Sequence, residues 1–334
     1  MDRKQFLASM LSLGGVALAS SASAAMLDKV AEAAIAEAKA AAKRGKRKID
    51  PATAVLLSDI HISGEFVDDK SAERIPKYYP YNPTCLKLRI AEILQMRPLP
   101  ANVLVFGDVA WDHGLEEDYR YAAELLSELE QAGIKVTLGM GNHDRRAPFF
   151  KVFSEYTKST KVDGRVVSVV EMPDFDFVML DSLAELPNLR LRQATTVSGE
   201  ISGGQIEWLQ EFVKGRTRRV VLGSHHPLGE MGNLEKFIVN TPQVAGYVYG
   251  HLHIWSKSAR VVRPRKELHM VPTVGLPATF YGDIGFAVMR STPEAVTFEY
   301  SSKGFWWPQP KENPPAEWQS RTDDLACERC KFLL

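Results

Sequence analysis

The chain is predicted to adopt an α/β fold. Two observations carry this. Short apolar runs alternate with helical patterns through the first half, and beyond Leu268 strand patterns follow one another with no helix between them. Alternating strands and helices build parallel crossover units, whereas strands in direct succession pair antiparallel. The composition agrees, because 45% hydrophobic residues over 334 positions is enough to bury a core.

Thr53–Ser58, Asn102–Phe106 and Ile134–Leu138 read as buried strands, being short, apolar and bounded by Gly or polar residues. Pro83–Met96 and Glu116–Ala132 are the helices between them. Arg165–Glu171, Phe175–Leu180, Arg219–Gly223 and Ala245–Tyr249 continue as strands, with a helix at Gln205–Val213 ahead of the third. Met270–Val274, Gly285–Arg290 and Ala295–Tyr300 predict an antiparallel second sheet. From residue 301 to 334, with Trp306, Trp307 and prolines from Pro308 to Pro315, an irregular tail is expected on the surface. The paired tryptophans are expected to pack on the domain.

Ahead of the domain, Arg3 and Lys4, the uncharged stretch Phe6–Ala19 and the small-residue site Ala22-Ser23-Ala24 follow the order of a secretory signal peptide over residues 1–24. Export, to the periplasm, is the expectation. Arg3-Lys4-Gln5-Phe6-Leu7 also resembles a twin-arginine signal, with Lys where the second Arg belongs. The apolar run is too short and too rich in Gly and Ser for a membrane span, and no transmembrane helix is expected elsewhere. Residues 25–50 add an Ala-rich helix, Leu27–Ala42, and a solvated basic linker, Lys43–Lys48. The folded domain spans residues 51–300.

Basic and acidic side chains number 41 each, so the net charge is zero. That excludes a protein that holds nucleic acid by bulk charge, which needs a positive excess. Three cysteines are too few for a disulfide scaffold. Cys85, in a predicted helix, reads as a buried apolar residue. Cys327 and Cys330 are expected to form a disulfide after export. Oligomeric state is left open.

In open α/β sheets, ligands bind beyond the carboxyl ends of the strands. Here those ends carry Asp59 and His61, Asp108 and Asp112, Asn142, His143 and Asp144, His225 and His226, and His251 and His253. Six of the eight histidines lie in these five places. Satisfied core histidines would not sort themselves this way. Asp-x-His and His-x-His put two side chains on one side of an extended chain, and a Gly before Asp108, Asn142 and His251 permits a sharp turn. Imidazoles mixed with carboxylate and amide oxygens suit Zn, Mn or Fe rather than Ca or Mg. Seven such ligands exceed what one tetrahedral ion takes and suffice for two ions sharing a carboxylate.

Asp59-x-His61, Gly107-Asp108, Gly141-Asn142-His143-Asp144, His225 and Gly250-His251-x-His253 stand in the order of the calcineurin-like metallophosphoesterases, which the chain resembles over roughly residues 52–300. The resemblance implies a two-sheet β-sandwich flanked by helices, and a dinuclear-metal hydrolase of phosphate esters. It implies Asp59, His61 and His253 on one metal, Asn142, His225 and His251 on the other, and Asp108 bridging both. Two transition-metal ions (Mn, Fe or Zn) are the implied cofactors, and a metal-bridging hydroxide is the implied nucleophile. His143 would stand beside the leaving group, and Asp144 would orient its ring. Asp112 and His113 are expected to contact substrate or the ligands, or Asp112 simply to cap the following helix.

The expected substrate is a small phosphomonoester or phosphodiester, such as a cyclic nucleotide or a glycerophosphodiester. Its identity would be set by the loops Gly64–Asn82, Ala184–Ser202 and Gly229–Asn240. A catalytically inactive scaffold with the same fold, and a di-metal hydrolase of a non-phosphate ester or amide, are the alternatives.

Overall fold

The computed structural model describes residues 21–43, 47–64, 82–185, 197–262, 269–280, 282–306 and 329–334. Two six-stranded mixed sheets stack face to face, with helices on both outer sides. The first half runs β1 (Ile49–Leu57), α2 (Asn82–Gln95), β2 (Leu99–Val105), α3 (Glu116–Glu130) and β3 (Lys135–Leu138), preceded by α1 (Ser21–Lys43). Then come α4 (Arg146–Val152), α5 (Tyr156–Ser159), β4 (Ser168–Glu171), β5 (Phe175–Met179), α6 (Gly203–Val213) and β6 (Arg219–Ser224). The last part comprises α7 (Gly232–Val239), β7 (Val244–Tyr249), β8 (Ser256–Val262), β9 (His269–Gly275), β10 (Gly282–Ser291), β11 (Ala295–Trp306) and β12 (Arg329–Leu333).

Sheet one has the order β12-β11-β10-β1-β2-β3, and sheet two β4-β5-β6-β7-β9-β8. The two-residue period of a strand divides its side chains between cores. Ala54, Leu56, Leu104 and Phe106 face the layer between the sheets, where they meet Phe177, Val221 and Val248. Their neighbours Val55, Leu57, Val103 and Val105 face α2 and α3. A third core packs α6 and α7 on the far face of sheet two, through Leu209, Leu234 and Phe237. The C-terminal halves of β1 and β2 are thus buried on both faces, which is why these segments read as unbroken apolar runs.

Three expectations are corrected. The strands after Leu268 do not form one antiparallel sheet. β9 lies parallel to β7 in sheet two, whereas β10 and β11 add to sheet one, with Thr53 of β1 opposite Arg290. Residues 329–333, expected within an irregular tail, form β12 against β11, and Phe332 is buried between the sheets. Residues 229–240, expected as a loop, hold α7, whose Leu234, Phe237 and Ile238 are buried at helical spacing.

The α1 helix covers the Ala-rich segment and starts at Ser21, so that it also spans the small-residue site Ala22-Ser23-Ala24. It buries Ala31, Ala34, Ile35 and Ala38, and Asp28 meets Lys87 of α2 at 2.8 Å. The stretch Phe6–Ala19, most of the Gly64–Asn82 loop, part of the Ala184–Ser202 loop, Trp307, Pro308–Pro315 and Cys327 lie outside the described residues. Cys85 is half-buried on α2. No described helix is long and apolar enough to cross a membrane.

Candidate metal centre

The five strand ends singled out by their polar residues meet at one edge of the sandwich. His225 is at the middle of the set. Its Nε2 lies 3.1 Å from His251 Nδ1, 3.2 Å from Asn142 Oδ1 and 3.2 Å from Asp108 Oδ2. Asp108 Oδ2 is also 3.6 Å from His61 Nε2, and Asp59 Oδ1 is 3.2 Å from His253 Nε2. Asp59, His61 and His253 form one group of mutually close donor atoms, and Asp59, Asp108 and His225 another. All seven side chains expected to ligate metal are therefore brought together, with Asp108 between the two sets.

The backbone reaches this arrangement by an unexpected route. Asp59, His61, Asp108, His251 and His253 have φ of 53°, 45°, 47°, 65° and 54°. Among the described residues they are the only non-glycine positions in the left-handed region. Asp59-x-His61 and His251-x-His253 are thus not extended chain, as the spacing argument supposed. Two left-handed residues flanking one ordinary residue also project both side chains to the same place. Ile60 between the first pair is buried, and Leu252 between the second is 40% exposed. Of the three glycines, Gly107 before Asp108 turns as expected, with a φ of 81°, while the other two act differently. Gly141 and Gly250 have ordinary φ but no room for a side chain, since a Cβ would run into Asp108 at the first and Ser58 at the second.

Each carboxylate is tied by one oxygen and offers the other. Ser58 Oγ and the His251 backbone N–H donate to Asp59 Oδ2, the latter at 3.1 Å, while Asp59 Oδ1 is buried without a hydrogen bond. The His143 backbone N–H donates to Asp108 Oδ1 at 2.9 Å, leaving Oδ2 toward the histidines. His61 Nδ1 sits 3.0 Å from the Trp111 carbonyl and His225 Nδ1 2.8 Å from that of Phe106. A carbonyl at Nδ1 fixes the proton there and leaves the Nε2 lone pair for a metal.

Burial works to raise Asp59 and Asp108, but His253 and His225 around the first, and His225 and His143 around the second, hold both carboxyls below the usual range. His225, in spite of burial, is pushed up to about 9 by Asp108 and Asp59. Burial pushes His61 and His251 down to about 4, so these rings are neutral donors at pH 7. Two buried carboxylates among imidazoles of this kind call for positive charge between them. Donors sharing an ion at about 2.0–2.2 Å stand roughly 3.0–3.6 Å apart, which the separations of 3.1, 3.2 and 3.6 Å match. The residues fit a pair of transition-metal ions.

Around His143 the expectation is corrected. Asp144 does not orient its ring. The Asp144 carboxylate is fully buried and accepts from the backbone N–H of Gly141 at 2.8 Å, Ala110 at 3.0 Å and Val109 at 3.2 Å, and from Tyr119 Oη at 3.1 Å. It clamps the loop carrying Asp108 to the loop carrying Asn142. Burial and Asp108 raise it to about 6. Asp112 is the residue beside His143, its Oδ1 3.2 Å from Nδ1, and its Oδ2 is 2.9 Å from His113 Nε2. Asp112 caps no helix, because α3 begins after Leu115 and its first turn is braced by Asp118. An acidic residue four positions after Asp108 was the available signal.

A family model described as calcineurin-like phosphoesterase matches residues 52–255. No sequence among the curated proteins compared matches the chain. Among solved structures, a dimetal phosphatase from Danio rerio is similar over 76% of this chain and 97% of that one, with 15% identity and a TM-score of 0.54. A protein of Thermus thermophilus is similar over 70% and 92%, with 8% identity and a TM-score of 0.41. A Vps29 variant from Entamoeba histolytica is similar over 74% and 90%, with 9% identity and a TM-score of 0.33. With the matched segment taking in the first four strand ends of the site and the His251-x-His253 pair, the chain belongs to the calcineurin-like phosphoesterase family.

Proposed function

We propose that the protein is a dinuclear-metal hydrolase of small phosphate esters. The observation that carries this reading is the convergence of two carboxylates, an amide and four imidazoles with Asp108 at the shared position. In this reading Asp59, His61 and His253 would hold one ion, Asn142, His225 and His251 would hold the other, and Asp108 would serve both. Zn, Mn and Fe fit this nitrogen-rich donor set better than Ca or Mg. When bound, two such ions supply Lewis acidity toward phosphate oxygens and lower the pKa of coordinated water.

The remaining work belongs to the chain. His143 Nδ1 faces Asp112, which leaves Nε2 to give a proton to the departing oxygen. Asp112 favours the ring's charged form and its orientation, and His113 on the other carboxylate oxygen limits how far Asp112 can swing. Asp144 and Tyr119 keep the Asp108 and Asn142 loops in register. Phosphomonoesters and phosphodiesters, among them cyclic nucleotides and glycerophosphodiesters, are the proposed substrates, and the periplasm the proposed compartment.

The test is a panel of phosphomonoesters, phosphodiesters and amides run with elemental analysis on the same preparation. Two bound transition ions and turnover of at least one phosphoester class support the proposal. A preparation that holds two ions and hydrolyses nothing favours a scaffold, and amide turnover alone favours a different hydrolase.

A further inference from the structure

The double histidine after β6 leaves one imidazole without a task. His225 faces Asn142, Asp108 and His251. His226 has no exposed surface, yet its ring is held with equal care. Ser182 Oγ lies 2.8 Å from its Nδ1 and accepts its backbone N–H at 3.3 Å. Tyr247 Oη donates to its carbonyl at 2.7 Å. Gly199 lies so close that a Cβ there would stand 2.5 Å from the His226 Cβ and Cγ. Against these contacts, His226 Nε2 is buried and makes no hydrogen bond. A buried ring nitrogen left so costs stability and is accounted for by an ion or a water.

The surroundings favour an ion. The His226 ring centroid is 4.9 Å from that of His251 and 4.8 Å from that of His225. One ring nitrogen from each of the three histidines lies within 4.8 Å of the other two. We propose that His226 Nε2 is a further nitrogen donor to the ion held by Asn142, His225 and His251, with Ser182 setting its tautomer. This rests on the two-ion reading above. The tautomer it needs has Nδ1–H donating to Ser182 Oγ and the lone pair on Nε2. His61 and His225 use the same device, with the carbonyls of Trp111 and Phe106 in place of the hydroxyl. A ring fixed at both backbone and Nδ1 loses little freedom when Nε2 binds.

The test uses the full chain loaded with zinc, with chelator competition to follow release of each ion and imidazole ¹⁵N spectra of the wild type. His226→Phe, which keeps a ring and removes both nitrogens, should weaken one ion by about 10–100-fold, a loss of the size seen when the groups supporting a metal are removed. The other ion should be unaffected. Ser182→Ala should weaken the same ion less. In the wild type, zinc should shift a nitrogen of five imidazoles, His226 among them. A folded His226→Phe chain that binds both ions at wild-type affinity overturns the proposal, as does a wild-type spectrum with His226 unmoved by zinc. Should His226→Phe fail to fold, the wild-type spectrum decides alone. A wild-type chain that takes up fewer than two ions overturns the two-ion reading instead.

Discussion

Replacing Asp112 by Asn separates the positioning of His143 from the building of the metal site. The carboxylate stands 3.2 Å from His143 Nδ1, close enough for charge interaction but without the alignment of a full hydrogen bond. Two unit charges at that distance interact by about 1.3 kcal/mol at a dielectric of 80 and about 5 kcal/mol at 20. The Asp112 side chain is 44% exposed and that of His143 34%, so solvent screening places the pair at the lower end. About 1–2 kcal/mol of transition-state stabilisation, or roughly a 5- to 30-fold loss of kcat, is the expected result. An alkyl phosphate should show it in full, and a nitrophenyl phosphate, whose leaving group needs no proton, should show little. The pH profile carries a second signature. Burial works to lower His143, while Asp108 and Asp112 outweigh it and raise the ring above its ordinary value. A general acid is active only while protonated, so activity falls as pH rises through that value. Without Asp112 the alkaline limb should move to lower pH. Asp144→Asn is the control, and it should lower thermal stability and metal content together. Equal rate losses on both esters, or loss of metal from Asp112→Asn, would refute the reasoning.

Four further outcomes follow from the same geometry. Asp108→Ala should release both ions and abolish hydrolysis, read by elemental analysis, since it removes the one donor placed between the two sets. His143→Ala should retain both ions and lose about 10²–10⁴ in kcat. Gly141→Ala should lower metal content with an intact circular dichroism spectrum, because the added methyl displaces Asp108 from its place between the two sets. Phe332→Ala should cost about 3–5 kcal/mol, a fall of roughly 4–8 °C in Tm, because Phe332 is buried and its ring centroid lies 4.8 Å from that of Phe298. An unchanged Tm would show that β12 is not part of the core.

Most of the site was legible because its signals are local. Asp59, His61, Asp108, Asn142, His225, His251 and His253 each follow a strand whose apolar run is short and plain, and their residue types are those that bind metal. What surrounds His143 was not legible, because it is a contact across the fold. Asp144 is its chain neighbour, but the turn points that carboxylate inward to three backbone N–H groups. Asp112 is thirty-one positions earlier and reaches His143 from the loop after β2. The same distinction runs through the fold. Strands β10 and β11 were recognised, but which sheet they join depends on pairing with β1, more than 200 positions earlier. The α7 helix carried its own signal in Leu234, Phe237 and Ile238, hidden by the Gly and Asn residues at its ends. The edge strand β8, Ser256–Val262, had none, since residues 257–261 are exposed and largely polar.

The left-handed residues explain why the ligand types could be recognised while their backbone could not. An L-residue in this region costs about 1–2 kcal/mol relative to its usual conformations, and five of them lie along one edge of the sandwich. Such strain persists only where the surroundings over-determine it. Here the His61 N–H is bonded to the Asp108 carbonyl at 2.9 Å, and the Asp283 N–H to the His253 carbonyl at 2.9 Å, so each strained turn is braced by a neighbouring strand end. Asp, Asn and His are also the non-glycine residues that enter this region most readily. One choice of residue therefore meets two demands, a donor atom for the ion and a backbone able to turn out of the sheet within a single residue. A Glu or Cys at these places would keep a donor and lose the turn, which is why the site is written in Asp and His at positions where other ligands would serve the metal as well.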